Sequence, residues 1–579
     1  MAEMILPGVY IETRAEGLIV AGRVTVGNVG VVGTASKGPI GEPTLLSSYS
    51  EAQQIFGNYD SFYDDDKQTH PRVNSLTLVR ALEQIFGNGA TTVFAVRVAD
   101  TVTPNEAKRA SYALKSASGD CATLTAQTTG TWGNDLQINV TDADEDPFIE
   151  GESVPTAGVG AFTLKHKTVL KSARNRVTHL VAATGVTRVS SGADILYGGG
   201  FPDDDAGLPG AGQVKIDRSN GLITFLPTEQ AVGGDHLTAS YTVKKDNAVK
   251  ATLRLGTAEE VYTVVDGADL ATKISDQSTW AAAVADASNG DELPTKSPSP
   301  DSFAVFKGGV NGEGAGADYV AGLEALLNED VQIIVAAGQD DKFGGELHKH
   351  CQKASSDLIK RDRIAVVGSK LKGNKTTDTF LDSLRGHNVA SDRVIFAAPG
   401  IKAFDSAASQ TVVLPGAYAA AAVAGLLASF SPHISLTNKP IGVDGVEEKF
   451  NSAQLQQLVQ NRVLALEDRK GFRIVKGITT DDGAFQQITT RRIVDYAKSG
   501  VRAGASSYIG LLNNERVRGA LRATINGFLT EMVEDEKLVS YDLTVTATRD
   551  EEKKGIAKVT IVLRPTFSID FIKVTMNLE

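Results

Sequence analysis

Cysteine is almost missing from this chain: among 579 residues only Cys121 and Cys351 occur. Two thiols so far apart make neither a disulfide framework nor a thiolate zinc site, and they suit a reducing compartment. Positive charge in dense runs is also lacking. Lys and Arg number 58 against 70 Asp and Glu, a net charge of −12, so the basic footprint of a DNA or RNA binder is absent and nucleic acid is not the expected partner. Met1-Ala2-Glu3-Met4 has no basic region followed by an apolar stretch, so no secretory signal is expected. The one uncharged stretch long enough to span a bilayer lies between Asp405 and His433. It is alanine-rich and carries Pro415 and two glycines, which predicts a helix buried on all sides and no membrane insertion.

What is present suits a multidomain globular protein. The length allows several domains of about 100–200 residues, and 42% hydrophobic with 22% charged residues provides enough apolar surface for several cores. Glycine is in excess, 57 in all, against a usual share of about 7%. Four textures follow one another. Residues 1–24 are short alternating pieces broken by Gly8, Gly17 and Gly22. Residues 25–100 and 303–430 share an α/β rhythm: Val29–Gly33, Thr92–Val98, Val331–Ala336, Ile364–Val367 and Val394–Ala397 read as buried strands. Helical patterns at Ser50–Phe56, Leu76–Phe86, Asp318–Leu327, Glu346–Ile359 and Thr377–Leu384 lie between them. That alternation predicts a largely parallel sheet covered on both faces. Residues 101–302 are rich in Thr, Val, Gly and Asp with short alternating runs, which predicts a β-rich insertion with a nested antiparallel sandwich or barrel over about 160–245. Residues 431–566 read as an α+β domain with helices at Ser452–Leu466 and Asn514–Glu534, a strand at Gly471–Lys476, and two strands around a charged turn at Asp550–Gly555. Residues 567–579 form a last β-patterned arm after Pro565.

Motifs that suggest catalysis fail on spacing. Gly33-Thr34-Ala35-Ser36-Lys37-Gly38-Pro39 has a phosphate-loop outline, but Pro39 stands where the lysine must reach the phosphates. Gly308–Gly316 follows a strand and precedes a helix, and Asp340 or Asp341 follows the next strand as a ribose-binding acid would. No window there reads Gly-x-Gly-x-x-Gly, and Glu313 would oppose a pyrophosphate. His348, His350 and Cys351 share one helical segment, of which only His348 and Cys351 lie on one face. The acidic runs Asp64–Asp66 and Asp203–Asp205 lack the spacing of a calcium loop. Neither an enzyme nor a cofactor or metal is expected.

Both ends carry clean β patterns set off by breakers. Either each strand joins its own domain's sheet, or each is donated to an open sheet edge on another subunit, which builds rings or helical arrays. At this point the residues resemble the contractile tail sheath proteins of bacteriophages and phage-tail-like particles. The likeness is carried by Pro7-Gly8-Val9-Tyr10-Ile11-Glu12, by Val29-Gly30-Val31-Val32-Gly33-Thr34-Ala35-Ser36-Lys37-Gly38-Pro39, and by Ile55-Phe56-Gly57 and Phe86-Gly87-Asn88-Gly89. Gly130-Thr131-Trp132-Gly133-Asn134 and Phe306-Lys307-Gly308-Gly309 resemble the boundaries of the family's inserted domain. Ala419–Pro432, Ser435–Ile441, Thr490–Tyr496 and the final strand pair continue the match. It is weakest across residues 145–250, where the family varies most.

The resemblance implies a structural subunit that stacks in hexameric rings around an inner tail tube, ends at baseplate and tail terminator proteins, and contracts to drive the tube through a target envelope. It places the protein in a virion tail assembled in the bacterial host cytoplasm, and it implies genome ejection as the outcome. The implied inter-subunit arm strands are Val9, Tyr10, Ile11, Glu12, Leu18 and Val20 at one end, and Phe567, Ile569, Phe571, Ile572, Val574, Met576 and Leu578 at the other. Gly17, Gly22 and Gly27 suit a hinge behind the first arm. The tail domain is implied to face the tube, with Arg491, Arg492, Arg516 and Arg518 as candidates to meet an acidic tube surface; a solvated helix face is the alternative. Two other classes stay open: a nucleotide-dependent α/β enzyme, and a surface adhesin or receptor-binding subunit using the β-rich insertion. Packing many copies of a −12 subunit works against repulsion. Assembly followed by light scattering should therefore strengthen as salt rises toward physiological levels; assembly that weakens steadily over that range would contradict this.

Overall fold

The continuous Val/Ile/Ala runs form the centre of an eight-stranded sheet. The structure, a computed structural model, describes residues 25–62, 75–102, 106–154, 162–192, 195–198, 208–231 and 235–577. The segment Val9–Val20 with Gly17 and Gly22, the acidic runs Asp64–Asp66 and Asp203–Asp205, and Leu578 lie outside the described residues. The chain divides into two compact units, Met1–Glu106 with Gly312–Glu579, and Ala107–Asn311.

In the first unit the sheet order is Thr44–Leu46, Val93–Arg97, Val29–Gly33, Ile333–Asp340, Ile364–Gly368, Val394–Ala398, Leu464–Asp468 and Phe472–Ile474. The six inner strands run parallel, and each edge strand is antiparallel to its neighbour. Period-two alternation sends successive residues to opposite faces. Val29, Val31, Ile333, Val335, Ile364, Val366 and Ile395 enter one core, while Val32, Ile334, Ala336, Ala365, Val367, Val394 and Phe396 enter the other. Helices Leu78–Gly87 and Gly416–Ser429 cover the first face; Gly316–Ala325, Gly344–Ala354, Thr377–Arg385 and Ser452–Gln460 cover the second. Burial on both faces is why these strands read as unbroken apolar runs.

The uncharged stretch folds as the helix Gly416–Ser429, buried along nearly its whole length. Among the described residues no helix is long and apolar enough to cross a membrane. Its small side chains let it approach the Leu78–Gly87 helix so closely that a Cβ on Gly425 would meet the Ile85 carbonyl. Asp405, the acid at the start of that stretch, is fully buried. Its carboxylate sits 3.0 Å from the Arg80 guanidinium and accepts backbone N–H bonds from Phe62, Ala407 and Ala408. Burial alone would raise its pKa, but those N–H bonds and Arg80 outweigh it and hold the acid below its ordinary value.

Two expectations are corrected here. The helix read over Ser452–Leu466 stops at Gln460. Arg462 takes φ +63°, which breaks the helix, and Val463–Leu466 continues into the strand Leu464–Asp468 beside Val394–Ala398. Four consecutive apolar residues satisfied the helical stripe and a buried strand equally. The turn read at Asp550–Gly555 contains one helical turn, Arg549–Lys553, closed by reciprocal hydrogen bonds between Thr548 and Glu551.

The rest of the first unit holds the helices Ile488–Ser506 and Glu515–Glu534, which pack on the hairpin Leu538–Thr546/Lys558–Pro565 around Ile493, Ile525, Phe528, Leu529 and Met532. The second unit, Ala107–Asn311, is mostly β. Three strands (Ser111–Lys115, Asp120–Ala126, Ala281–Ala285) and a four-stranded sheet containing Leu136–Asp142 and Val249–Leu255 share a core with the helix Gly267–Gln277. A second β core, with Phe162, Val177, Ile216, Phe225 and Tyr241, lies between a five-stranded and a four-stranded sheet spanning Phe148 to Val243.

Replacing Gly425 with Val puts a branched side chain against the Ile85 backbone, an overpacking that should cost about 1–3 kcal/mol. Urea unfolding of Gly425→Val should show the loss; an unchanged midpoint would contradict the close helix approach.

Candidate functional site

The parallel strands reverse their winding direction between Val29–Gly33 and Ile333–Asp340. In open α/β sheets ligands bind beyond the carboxyl ends of the strands at such a point. Here the chain fills that place itself. Thr34 Oγ1 donates to the Ser75 carbonyl and lies 3.1 Å from Thr77 Oγ1. Thr77 Oγ1 is 2.9 Å from the Tyr319 hydroxyl, which donates to the Ala337 carbonyl at 2.9 Å. Gly314 packs on this cluster, where a Cβ would lie 2.5 Å from Thr34 Cγ2. The amino end of the helix Gly316–Ala325 is capped by the chain's own Asp318 carboxylate, which accepts from the Ala315 N–H at 2.8 Å. Asp340, one of two candidate ribose-binding acids, accepts from the Lys342 N–H and pairs with Lys370 at 3.0 Å. The hydroxyls and helix end that would have to turn toward a pyrophosphate are turned toward one another.

The histidine and cysteine group is likewise engaged internally. His348 Nδ1 lies 2.6 Å from Ser391 Oγ. His350 Nε2 accepts from the Arg363 guanidinium at 3.1 Å, and Cys351 is fully buried. Burial first, then the Arg363 charge, holds the His350 pKa down to about 3, and burial raises the Cys351 thiol to about 12. The described residues contain no group of His, Cys, Asp and Glu arranged to hold a metal ion.

The four arginines considered for a tube surface separate. Arg491 and Arg492 are buried, so a solvated or partner-facing role does not apply to them in the free subunit. Their face of the helix Ile488–Ser506 turns onto carboxylates and carbonyls of the α/β body. Arg491 pairs with Asp495 at 2.6 Å and with Asp392 at 3.2 Å. Arg393 holds Asp495 through both nitrogens, at 2.8 and 3.1 Å, and reaches Asp362 at 3.4 Å; Lys498 and Arg502 also bind Asp362. Burial lowers the Arg393 pKa, yet the Asp495 and Asp362 charges outweigh it and the net direction is upward. Arg492 donates to the Val26 and Phe430 carbonyls at 3.1 and 3.0 Å. Arg516 is exposed. Arg518 pairs with Glu552 at 2.9 Å and is half-buried. Nothing in the sequence pointed to Asp362 or Arg393, which meet this helix only through the fold; Asp495 lay in the Thr490–Tyr496 motif, four residues from Arg491, but no role was read for it. Gly27, expected in the hinge, lies against the Ala428 carbonyl, so close approach explains its lack of a side chain.

The carboxyl-terminal segment is the most exposed apolar surface. The hairpin's last backbone hydrogen bond is from the Thr566 N–H to the Lys537 carbonyl at 3.3 Å, and residues 567–577 belong to no helix or strand and have no ladder partner among the described residues. Phe567, Ile569, Phe571, Ile572, Val574 and Met576 are 64–87% exposed. The neighbouring hairpin forms a sheet of only two strands among the described residues, which leaves an outer edge on each. An unpaired apolar segment and open sheet edges are features that strand addition uses in general.

Residues 312–480 match the family model for the phage tail sheath protein central domain, and residues 480–579 match that for the phage tail sheath C-terminal domain. The part of the chain from residue 312 to residue 579 belongs to the phage tail sheath family. No curated protein matches it in sequence. The sheath tail protein from Desulfitobacterium hafniense shares its fold with a TM-score of 0.57 at 15% identity, covering 96% of this chain and 100% of its own. That from Listeria innocua gives 0.54 at 13% identity, covering 95% and 98%. These solved sheath proteins show that the mixed α/β fold extends over nearly the whole chain.

His350 adds a titration to this fold. Its folded-state value lies below the ordinary ~6.5, so the unfolded chain takes up a proton that the folded sheath protein refuses. The stabilisation is complete above about pH 6.5 and is lost as pH falls toward about 3. The melting temperature should drop more steeply between pH 7 and 4 in the wild type than in His350→Gln. Identical slopes would contradict the buried neutral imidazole.

Proposed function

We propose that this protein is the subunit of a contractile sheath. Copies polymerise into stacked hexameric rings around an inner tube, neighbours being joined by donated β-strands. The array shortens to drive the tube through a target envelope, with baseplate and terminator proteins at its ends and host cytoplasm as the place of assembly. The observation that carries this reading is the unpaired segment Phe567–Met576, whose apolar side chains lie in water next in the chain to a two-stranded hairpin. A strand given to a neighbour's edge gains main-chain hydrogen bonds and buries alternate side chains. Because arm and receiving edge are different surfaces, the contact is heterologous and propagates into rings or helices.

Contraction by rigid-body motion needs a subunit whose parts move together while the arms stay attached. The carboxylate–arginine network joining the helix Ile488–Ser506 to Asp362, Asp392 and Arg393 suits that need. Driving force comes from added burial between subunits, so no nucleotide is needed.

Purified protein should form tubes visible by negative-stain electron microscopy. Deleting residues 1–18 or 567–579 should abolish them while circular dichroism shows folded monomers. Tubes that persist after both deletions would sink strand donation.

A further inference from the structure

The pattern of the carboxyl-terminal segment is inverted relative to a strand that packs on its own domain. Between Phe567 and Phe571 the apolar residues point to water, and the side turned inward carries Ser568 and Asp570. The Asp570 side chain is only 11% exposed. Its carboxylate accepts from Thr437 Oγ1 at 3.4 Å and Ser568 Oγ at 3.1 Å, and lies 3.5 Å from Lys476 Nζ. The same Lys476 ammonium stands 5.4 Å from the centroid of the Phe571 ring. Thr437 is itself held by the Gly477 N–H and Ser435, so the receiving groups are fixed by the fold. The segment borders a groove of about 610 Å³ between the helix Ser452–Gln460 and Val475, yet Phe571 stays at its rim, 85% exposed. The alternation changes phase at Phe571-Ile572: odd positions are apolar before that pair and even positions after it. The carboxylate contact therefore sits directly before the point where a new strand register begins.

We propose that Asp570, held by Thr437 and Lys476, is a latch that parks the arm on its own subunit and delays its donation to a neighbour. The inference rests on the strand-donation reading above. An ordered array needs subunits that stay apart until a template is present, and an exposed apolar strand works against that. The arm is held to the body here by one ion pair at 3.5 Å and one hydroxyl contact at 3.4 Å, both long, since Ser568 belongs to the arm itself, and so few contacts can be exchanged for a ladder of main-chain hydrogen bonds. Little apolar surface of the arm is committed to the parked position, Phe571 being 85% exposed even beside Lys476, so release uncovers little.

Full-length wild type, Asp570→Ala and Lys476→Ala should be compared by light scattering at equal concentration, with chymotrypsin cleavage after Phe571 measured under non-assembling conditions. Both variants should shorten the assembly lag several-fold and be cleaved several-fold faster, with unchanged melting temperatures. Variants that assemble more slowly than a tube-forming wild type would make Asp570 an anchor of the donated strand and overturn the latch. Cleavage rates equal to wild type would also overturn it. If the wild type forms no polymer, the sheath reading fails, and the cleavage comparison still decides the latch.

Discussion

An apolar strand that cannot bury itself on the subunit that owns it constrains everything else in this protein. Fully burying a large aliphatic or aromatic side chain is worth about 1.5–3 kcal/mol, and Phe567, Ile569, Phe571, Ile572, Val574 and Met576 forgo most of it in the free subunit. On the strand-donation reading proposed above, the missing burial comes from another chain. Ordering the arm and bringing subunits together both cost free energy, so six such side chains make a reversible, addressable contact rather than an irreversible one.

The body behind the arm is built not to yield. Six parallel strands are covered on both faces, and the alanine-rich helix Gly416–Ser429 lies so close to its neighbours that its glycines admit no Cβ. The helix Ile488–Ser506 is bound to the strand starts by Arg393, Asp362 and Asp495, and Arg492 grips the Val26 carbonyl and the end of the buried helix. Placing arginines inside, against carboxylates and carbonyls, costs desolvation and repays it in geometry: Arg393 holds Asp495 through both terminal nitrogens, while Arg491 binds Asp392 and Asp495 but leaves its buried Nε without a partner. The place where related sheet topologies hold nucleotides is occupied by hydrogen bonds among Thr34, Thr77 and Tyr319.

Much of the sheet was legible in the sequence because strands buried on both faces need unbroken apolar runs, as at Val29–Gly33, Ile364–Gly368 and Val394–Ala398. Where one pattern fits two structures, reading failed. Val463–Leu466 satisfied a helical stripe, and only the left-handed backbone at Arg462 and an open position beside Val394–Ala398 made it a strand. Arg491 and Arg492 read as tube-facing or solvated because, apart from Asp495 four residues on, their partners Asp392 and the Val26 and Phe430 carbonyls are scattered along the chain. The β pattern of the last dozen residues was plain, but no local signal says whose sheet a strand joins. Asp570 was passed over for a similar reason: an isolated acid between Ile569 and Phe571 gains meaning only once Thr437 and Lys476 are beside it.

Amide hydrogen exchange of residues 567–577, compared between free subunits and assembled polymer, tests the central claim most directly. The account predicts exchange within seconds in the free subunit, where the amides have no ladder partners, and protection at alternate amides by orders of magnitude once the strand lies in a neighbour's sheet. Equally fast exchange in both states would show that assembly does not use this strand.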